Sequence, residues 1–86
     1  ISASTGFNLY SPTFVRGMRK DEIEEVAKAF GTAVNTARDA GFDAVEIHAG
    51  HGYLISQFLS PYTNRRRDEY GGSLDACDLC ACAWKM

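Results

Sequence analysis

Apolar residues recur at helical spacing through the first half of the chain: Ile23, Val26, Ala27, Phe30, Val34 and Ala37 fall at i, i+3, i+4 and i+7. Glu22, Glu25, Arg38 and Asp39 occupy the other face, so the pattern predicts an amphipathic helix over residues 21–40. Asp21 and Glu24 have the spacing of a capping box, with Asp in the place of the usual Ser or Thr. Gly31 costs this helix roughly 1 kcal/mol relative to alanine. Gly41 stands where a C-terminal cap needs a residue that tolerates positive φ.

Beyond Gly41 the period changes. Ala44-Val45-Glu46-Ile47 is a brief run with β-branched residues, bounded by glycines on both sides, which predicts a buried strand over residues 44–47. Alternation along it places Val45 and Ile47 on one face and Glu46 and His48 on the other. A carboxylate and an imidazole on a buried face are costly unless paired or put to use, so the strand is expected to end in a functional pocket. A short helix follows over residues 54–59, stopped by Ser60-Pro61, and a polar loop closes on Gly71-Gly72-Ser73. Helix, tight turn, buried strand and loop is the order of an α/β fold, in which catalytic residues gather at the C-terminal ends of parallel strands.

His48, His51 and Tyr53 stand at the end of the predicted strand, within Val45-Glu46-Ile47-His48-Ala49-Gly50-His51-Gly52-Tyr53. Three groups able to donate hydrogen bonds within six residues suit a site that grips and protonates an oxygen-bearing substrate. The bland alternative is a pair of satisfied loop histidines and a tyrosine that merely packs at a helix start. Arg65, Arg66 and Arg67 read as a solvated or salt-bridged surface and not an anion site, because Asp68 and Glu69 stand beside them. With 9 Lys and Arg against 11 Asp and Glu, the chain offers no electrostatic case for nucleic acid or an anionic membrane. No run of ~20 apolar residues spans a bilayer.

The stretch AGFDAVEIHAGHGYLISQFLSPYTNRRRDEYGGSL, residues 40–74, closely resembles the segment around the fourth strand of the old yellow enzyme family, the FMN-dependent NADH:flavin oxidoreductases. The preceding helix fits as well, so the resemblance covers residues 18–74. It rests on EIH-x-x-HGYL followed by FLSP-x-x-N-x-R-x-DEYGGS, a combination hard to obtain from composition alone. The resemblance implies a segment of a TIM (β/α)₈ barrel. It also implies FMN reduced by NADH or NADPH, and a small-molecule α,β-unsaturated carbonyl or nitro substrate. In similar enzymes the residues at the positions of His48 and His51 donate hydrogen bonds to the substrate oxygen, and the tyrosine at the position of Tyr53 donates the proton. Those roles agree with an oxyanion site and a general acid. The histidine pair makes the chain look more like an ene reductase of small enones than a 2,4-dienoyl-CoA reductase. Glu46, Asn64, Arg65, Asp68 and Tyr70 belong to the same pattern and are expected to support the loop and the barrel wall.

Length sets a limit on this reading. A (β/α)₈ barrel takes roughly 250 residues, and this chain has 86, so it is expected to be a barrel segment incomplete at both ends. No P-loop or G-x-G-x-x-G is present to cradle a phosphate, and flavin contacts are expected from other strands. Alone, the segment is expected to be aggregation-prone and inactive. Residues 1–74 are assigned to the flavoenzyme segment and residues 75–86 to a divergent tail that holds all three cysteines. Where similar proteins continue Glu-Asn-Arg, this chain runs Asp75-Ala76-Cys77, as a changed frame, retained intron or mis-predicted exon would give. An odd cysteine number without a secretory signal suits a reducing, cytoplasmic compartment. The rival function is a non-catalytic product or a small metal-binding module using His48, His51, Cys77 and Cys80, whose ligand types and spacings suit structural zinc.

Overall fold

The computed structural model describes residues 1–8 and 11–72. Two short strands open the chain: β1 (Gly6–Asn8) and β2 (Thr13–Val15) pair antiparallel, with Gly6 opposite Val15, Phe7 opposite Phe14 and Asn8 opposite Thr13. The Phe7 and Phe14 rings meet edge to face at 5.1 Å on the exposed side of this ribbon. Three-residue strands are too short to show an alternating pattern, and the sequence reading assigned no element here. Below the ribbon, Ser2 and Gly17 form a parallel bridge, with Ser2 N–H donating to the Arg16 carbonyl (3.0 Å) and Met18 N–H to that of Ser2 (2.8 Å).

Helix α1 runs Lys20–Asp39, one residue ahead of the expected span. Ile23, Ala27 and Gly31 are buried, and Val26, Phe30, Val34 and Ala37 are half-buried beside them, so the predicted apolar stripe is the stripe that packs. The expected capping box is displaced. Arg19 is the N-cap, its N–H donates to the Glu22 carboxylate at 2.8 Å, and Asp21 instead pairs with the Arg19 guanidinium at 3.1 Å. With Arg19 and not Asp21 as the N-cap, Glu22 and not Glu24 is the third helical residue. At the other end Gly41 takes φ 91°. Its N–H bonds to the Arg38 carbonyl (3.0 Å) and that of Phe42 to Ala37 (3.1 Å), the paired closure that a left-handed glycine allows.

Residues 44–47 form no ladder, which corrects the expected strand. A strand is defined by hydrogen bonds to a neighbour, and among the described residues no segment lies alongside to make them. Ile47 packs onto the core, whereas Val45, Glu46 and Phe42 are exposed. The expected burial of Glu46 and His48 is corrected for the same reason, since both face outward. Helix α2, Leu54–Leu59, has the expected bounds, and its Ile55 and Phe58 are buried. They join Ala3, Met18, Ile23 and Ala27 in a core where the N-terminal segment, α1 and α2 meet.

The loop after α2 is ordered by its own polar groups. Asn64 Nδ2 donates to the carbonyls of Phe58 (2.9 Å) and Tyr70 (2.7 Å), and Lys20 pairs with Glu69 at 2.7 Å. Arg66 departs from the expected solvated run: its side chain is only 10% exposed. It donates to the carbonyls of Ala3 (2.9 Å) and Met18 (2.6 Å) while paired with Asp68 at 2.6 Å. That guanidinium holds the Asp68 carboxyl below the usual carboxylate range. A Cβ at Gly71 would collide with the Arg66 carbonyl, so glycine is required there by close approach. The cysteine tail, residues 75–86, lies outside the described residues.

One pH dependence follows from the helix start. Hydrogen bonds from Arg16 (2.8 and 2.9 Å) and from the Arg19 N–H lower the Glu22 carboxyl from 4.5 to about 2. A carboxyl whose folded value is depressed contributes stability above its unfolded value and loses it as pH falls through the folded one. The protein is therefore expected to lose stability between about pH 4.5 and 2. Thermal unfolding of Glu22→Gln, followed across that range by circular dichroism, should show a smaller pH slope than the parent. An equal slope in both would remove Glu22 from the account.

Candidate active site

Two consecutive left-handed residues bring the site together. His51 has φ 56° and Gly52 φ 74°, and Tyr53 N–H closes the turn onto the Gly50 carbonyl at 3.2 Å. A non-glycine residue in this region carries a cost of order 1–3 kcal/mol and persists only where its surroundings impose it. The turn folds His51 back onto His48, leaving His51 Nδ1 3.3 Å from His48 Nε2. Their ring centroids stand 5.0 Å apart and tilted by 41°, and the Tyr53 ring lies 5.6 Å from that of His48. All three predicted site residues are thus together and exposed, Tyr53 being 64% accessible as the N-cap of α2.

Gln57, which sequence reasoning passed over, ties this turn to the body of the protein. Its Nε2 donates to the Gly52 carbonyl at 2.9 Å, and its Oε1 accepts from Ser2 Oγ at 2.9 Å. Ser56 and Gln57 are the polar positions in Leu54–Leu59, and Gln57 falls one turn after Tyr53. That placement was the available signal, since an amide facing back along a helix reaches the loop before it. Asn64 and Asp68 act as loop supports, as their family positions suggested. Arg65 lies over the Tyr62 ring at 5.9 Å, and its N–H donates to Ser4 Oγ at 2.9 Å.

Residues 2–76 match the NADH:flavin oxidoreductase / NADH oxidase family. The chain belongs to this family. It is 57% identical over 67 residues to the NADPH dehydrogenase of Geobacillus thermodenitrificans, covering 78% of this chain and 19% of that protein. With the NADPH dehydrogenase of Clostridium acetobutylicum the identity is 59% over 58 residues, 67% of this chain and 17% of the relative. Among solved structures, 2-naphthoyl-CoA reductase in complex with 2-naphthoyl-CoA superposes with a TM-score of 0.91 at 32% identity, over 99% of this chain and 13% of that one. Morphinone reductase in complex with tetrahydroNAD gives 0.80 at 36% identity, over 86% of this chain and 21% of its own. The old yellow enzyme homologue of Zymomonas mobilis gives 0.78 at 34% identity, over 98% and 25%.

This old yellow enzyme segment therefore spans about a fifth of the length of the curated relatives it matches. The superposed structures are TIM-barrel enzymes, so the hairpin, α1, residues 44–47 and α2 have the fold of a part of such a barrel. Family members are oxidoreductases that use FMN with NADH or NADPH as reductant. Helix α1 does not open on a glycine-rich turn, and the cations at its start, Arg19 and Lys20, are already paired with Asp21 and Glu69, while the two glycines before α2, Gly50 and Gly52, belong to the turn that carries the histidines.

Proposed function

We propose that this chain supplies the substrate-oxygen donors and the proton donor of an FMN-dependent ene reductase, which reduces the C=C bond of an α,β-unsaturated carbonyl or nitro compound. Residues 44–47 would serve as the fourth strand of its barrel. The observation that carries the reading is the convergence of His48 Nε2 and His51 Nδ1. An oxygen about 2.9 Å from both nitrogens, an ordinary hydrogen-bond length, completes a nearly equilateral triangle on the 3.3 Å base. Each imidazole donates its N–H to that oxygen, which holds the substrate and stabilises the negative charge that grows there as the β-carbon accepts a hydride. Bound FMN, once reduced by NADH or NADPH, supplies the hydride. Tyr53, whose ring stands 5.6 Å from that of His48, would deliver a proton to the α-carbon, so that the C=C bond becomes a C–C bond bearing one hydride and one proton. Its exposed hydroxyl then recovers a proton from solvent.

The histidine pair at 48 and 51 favours small enones over CoA thioesters. A chimera tests the proposal: residues 2–76 of this chain replace the matching segment of a full-length relative. The chimera is expected to retain FMN and to oxidise NADPH in the presence of cyclohexenone. The 86-residue chain by itself is expected to do neither, because it carries the donors without a phosphate cradle. A folded, flavin-loaded chimera unable to reduce any enone or nitroalkene would overturn the proposal.

A further inference from the structure

We propose that His48 and His51 also form a two-histidine chelate for a divalent transition-metal ion, zinc foremost, and that the ion closes the site to its carbonyl substrate. The inference rests on the reading of these histidines as substrate-oxygen donors and adds a mode of regulation to it. Two imidazole nitrogens on one tetrahedral zinc, each about 2.0–2.1 Å from the metal, stand about 3.3–3.4 Å apart. His48 Nε2 and His51 Nδ1 are 3.3 Å apart. At that separation the pair makes a long N–H···N contact, and the two rings stand tilted by 41°. The strained turn at His51 and Gly52 fixes this spacing before any ligand arrives, so the chelate is preorganised.

The rest of the site decides what kind of metal site this is. Among the described residues no third histidine, cysteine or carboxylate joins the pair, so water completes the coordination and the ion remains exchangeable. Imidazole ligands select zinc, copper, nickel and cobalt over magnesium and calcium, which prefer oxygen. Competition with substrate is direct. An enone oxygen and a metal ion would occupy the same point between the two nitrogens, the oxygen accepting N–H bonds from them and the metal taking their lone pairs.

Cobalt(II) is the probe for the chain itself, because its visible bands report coordination and its near-ultraviolet charge-transfer bands report thiolate. The full chain is expected to bind one Co²⁺ saturably and without the thiolate bands. Cys77→Ser/Cys80→Ser should bind equally well, whereas His48→Ala and His51→Ala should each lose the bands, and Mg²⁺ should not compete. No saturable binding, binding indifferent to both histidine substitutions, or intense thiolate bands would each overturn the inference. The chimera supplies a second reading in a fully folded protein: Zn²⁺ should raise the KM for cyclohexenone and leave flavin reduction by NADPH unaltered. In His51→Asn, which keeps an N–H donor but is a poor metal ligand, the zinc inhibition constant should rise. An enone-reducing chimera indifferent to zinc would sink the metal site and spare the enone reading. Cobalt binding by the chain beside a chimera inactive on enones would do the reverse.

Discussion

His48→Ala in the chimera is expected to slow oxidation of the reduced flavin by an enone by ~10²–10³-fold, the loss that follows removal of one of two oxyanion donors (about 2.7–4 kcal/mol). His51 would remain as a single donor, with its partner nitrogen 3.3 Å away replaced by water. Tyr53→Phe is expected to slow the same half-reaction by ~10²–10⁴-fold, the usual contribution of a positioned acid. It should do so for substrates that need protonation at the α-carbon. Tyr53→Phe should leave flavin reduction by NADPH at the parent rate, since protonation of the α-carbon has no part in that half-reaction. Stopped-flow measurement of the two half-reactions separates the cases. A Tyr53→Phe chimera slowed only in the reductive half would remove Tyr53 from the role of proton donor.

Arg66→Ala is expected to destabilise the chain by about 3–5 kcal/mol, the cost of breaking a largely buried ion pair by removing one partner. The carbonyls of Ala3 and Met18 would lose the guanidinium donor and Asp68 its ion-pair partner, keeping only the Tyr70 N–H. A buried acceptor left without a partner costs about 1–3 kcal/mol. The first two belong to the N-terminal segment that carries Ala3 and Met18 into the core, so that segment should detach before the helices do. Arg66→Lys should recover only part of the loss, because one ammonium cannot span three acceptors that a forked guanidinium reaches. Urea unfolding monitored by circular dichroism gives the comparison, in the chain and in the chimera. Stability of Arg66→Ala within about 0.5 kcal/mol of the parent, as for an ordinary exposed residue, would show that the network is dispensable.

Much of this molecule was legible before its structure. The period of Ile23, Ala27, Phe30 and Val34 gave α1, because a helix that packs must put its apolar residues on one stripe. Gly41 and Ser60-Pro61 marked helix ends, because positive φ and a missing amide are local properties of single residues. His48, His51 and Tyr53 stood out for the same local reason: a tight turn brings near neighbours in sequence close in space whatever the rest of the chain does. The family, too, was carried by short motifs within residues 40–74, and residues 2–76 bear it out.

What the sequence left undecided depended on distant pairs. Ser2 meets Gln57, and Arg66 reaches Ala3 and Met18, contacts that no periodicity encodes because they join chain segments about fifty residues or more apart. For that reason Arg66 looked like one of three surface arginines, and Gln57 was passed over. Residues 44–47 show the same limit from the other side. Their apolar, β-branched character was local and readable, but a strand exists only when a neighbour takes its hydrogen bonds, and among the described residues none does. Local chemistry thus determined the helices, the glycine that closes α1 and the nearness of His48, His51 and Tyr53. Tertiary structure alone decided which polar side chains became buried braces, and how the strained turn set the two imidazole nitrogens 3.3 Å apart.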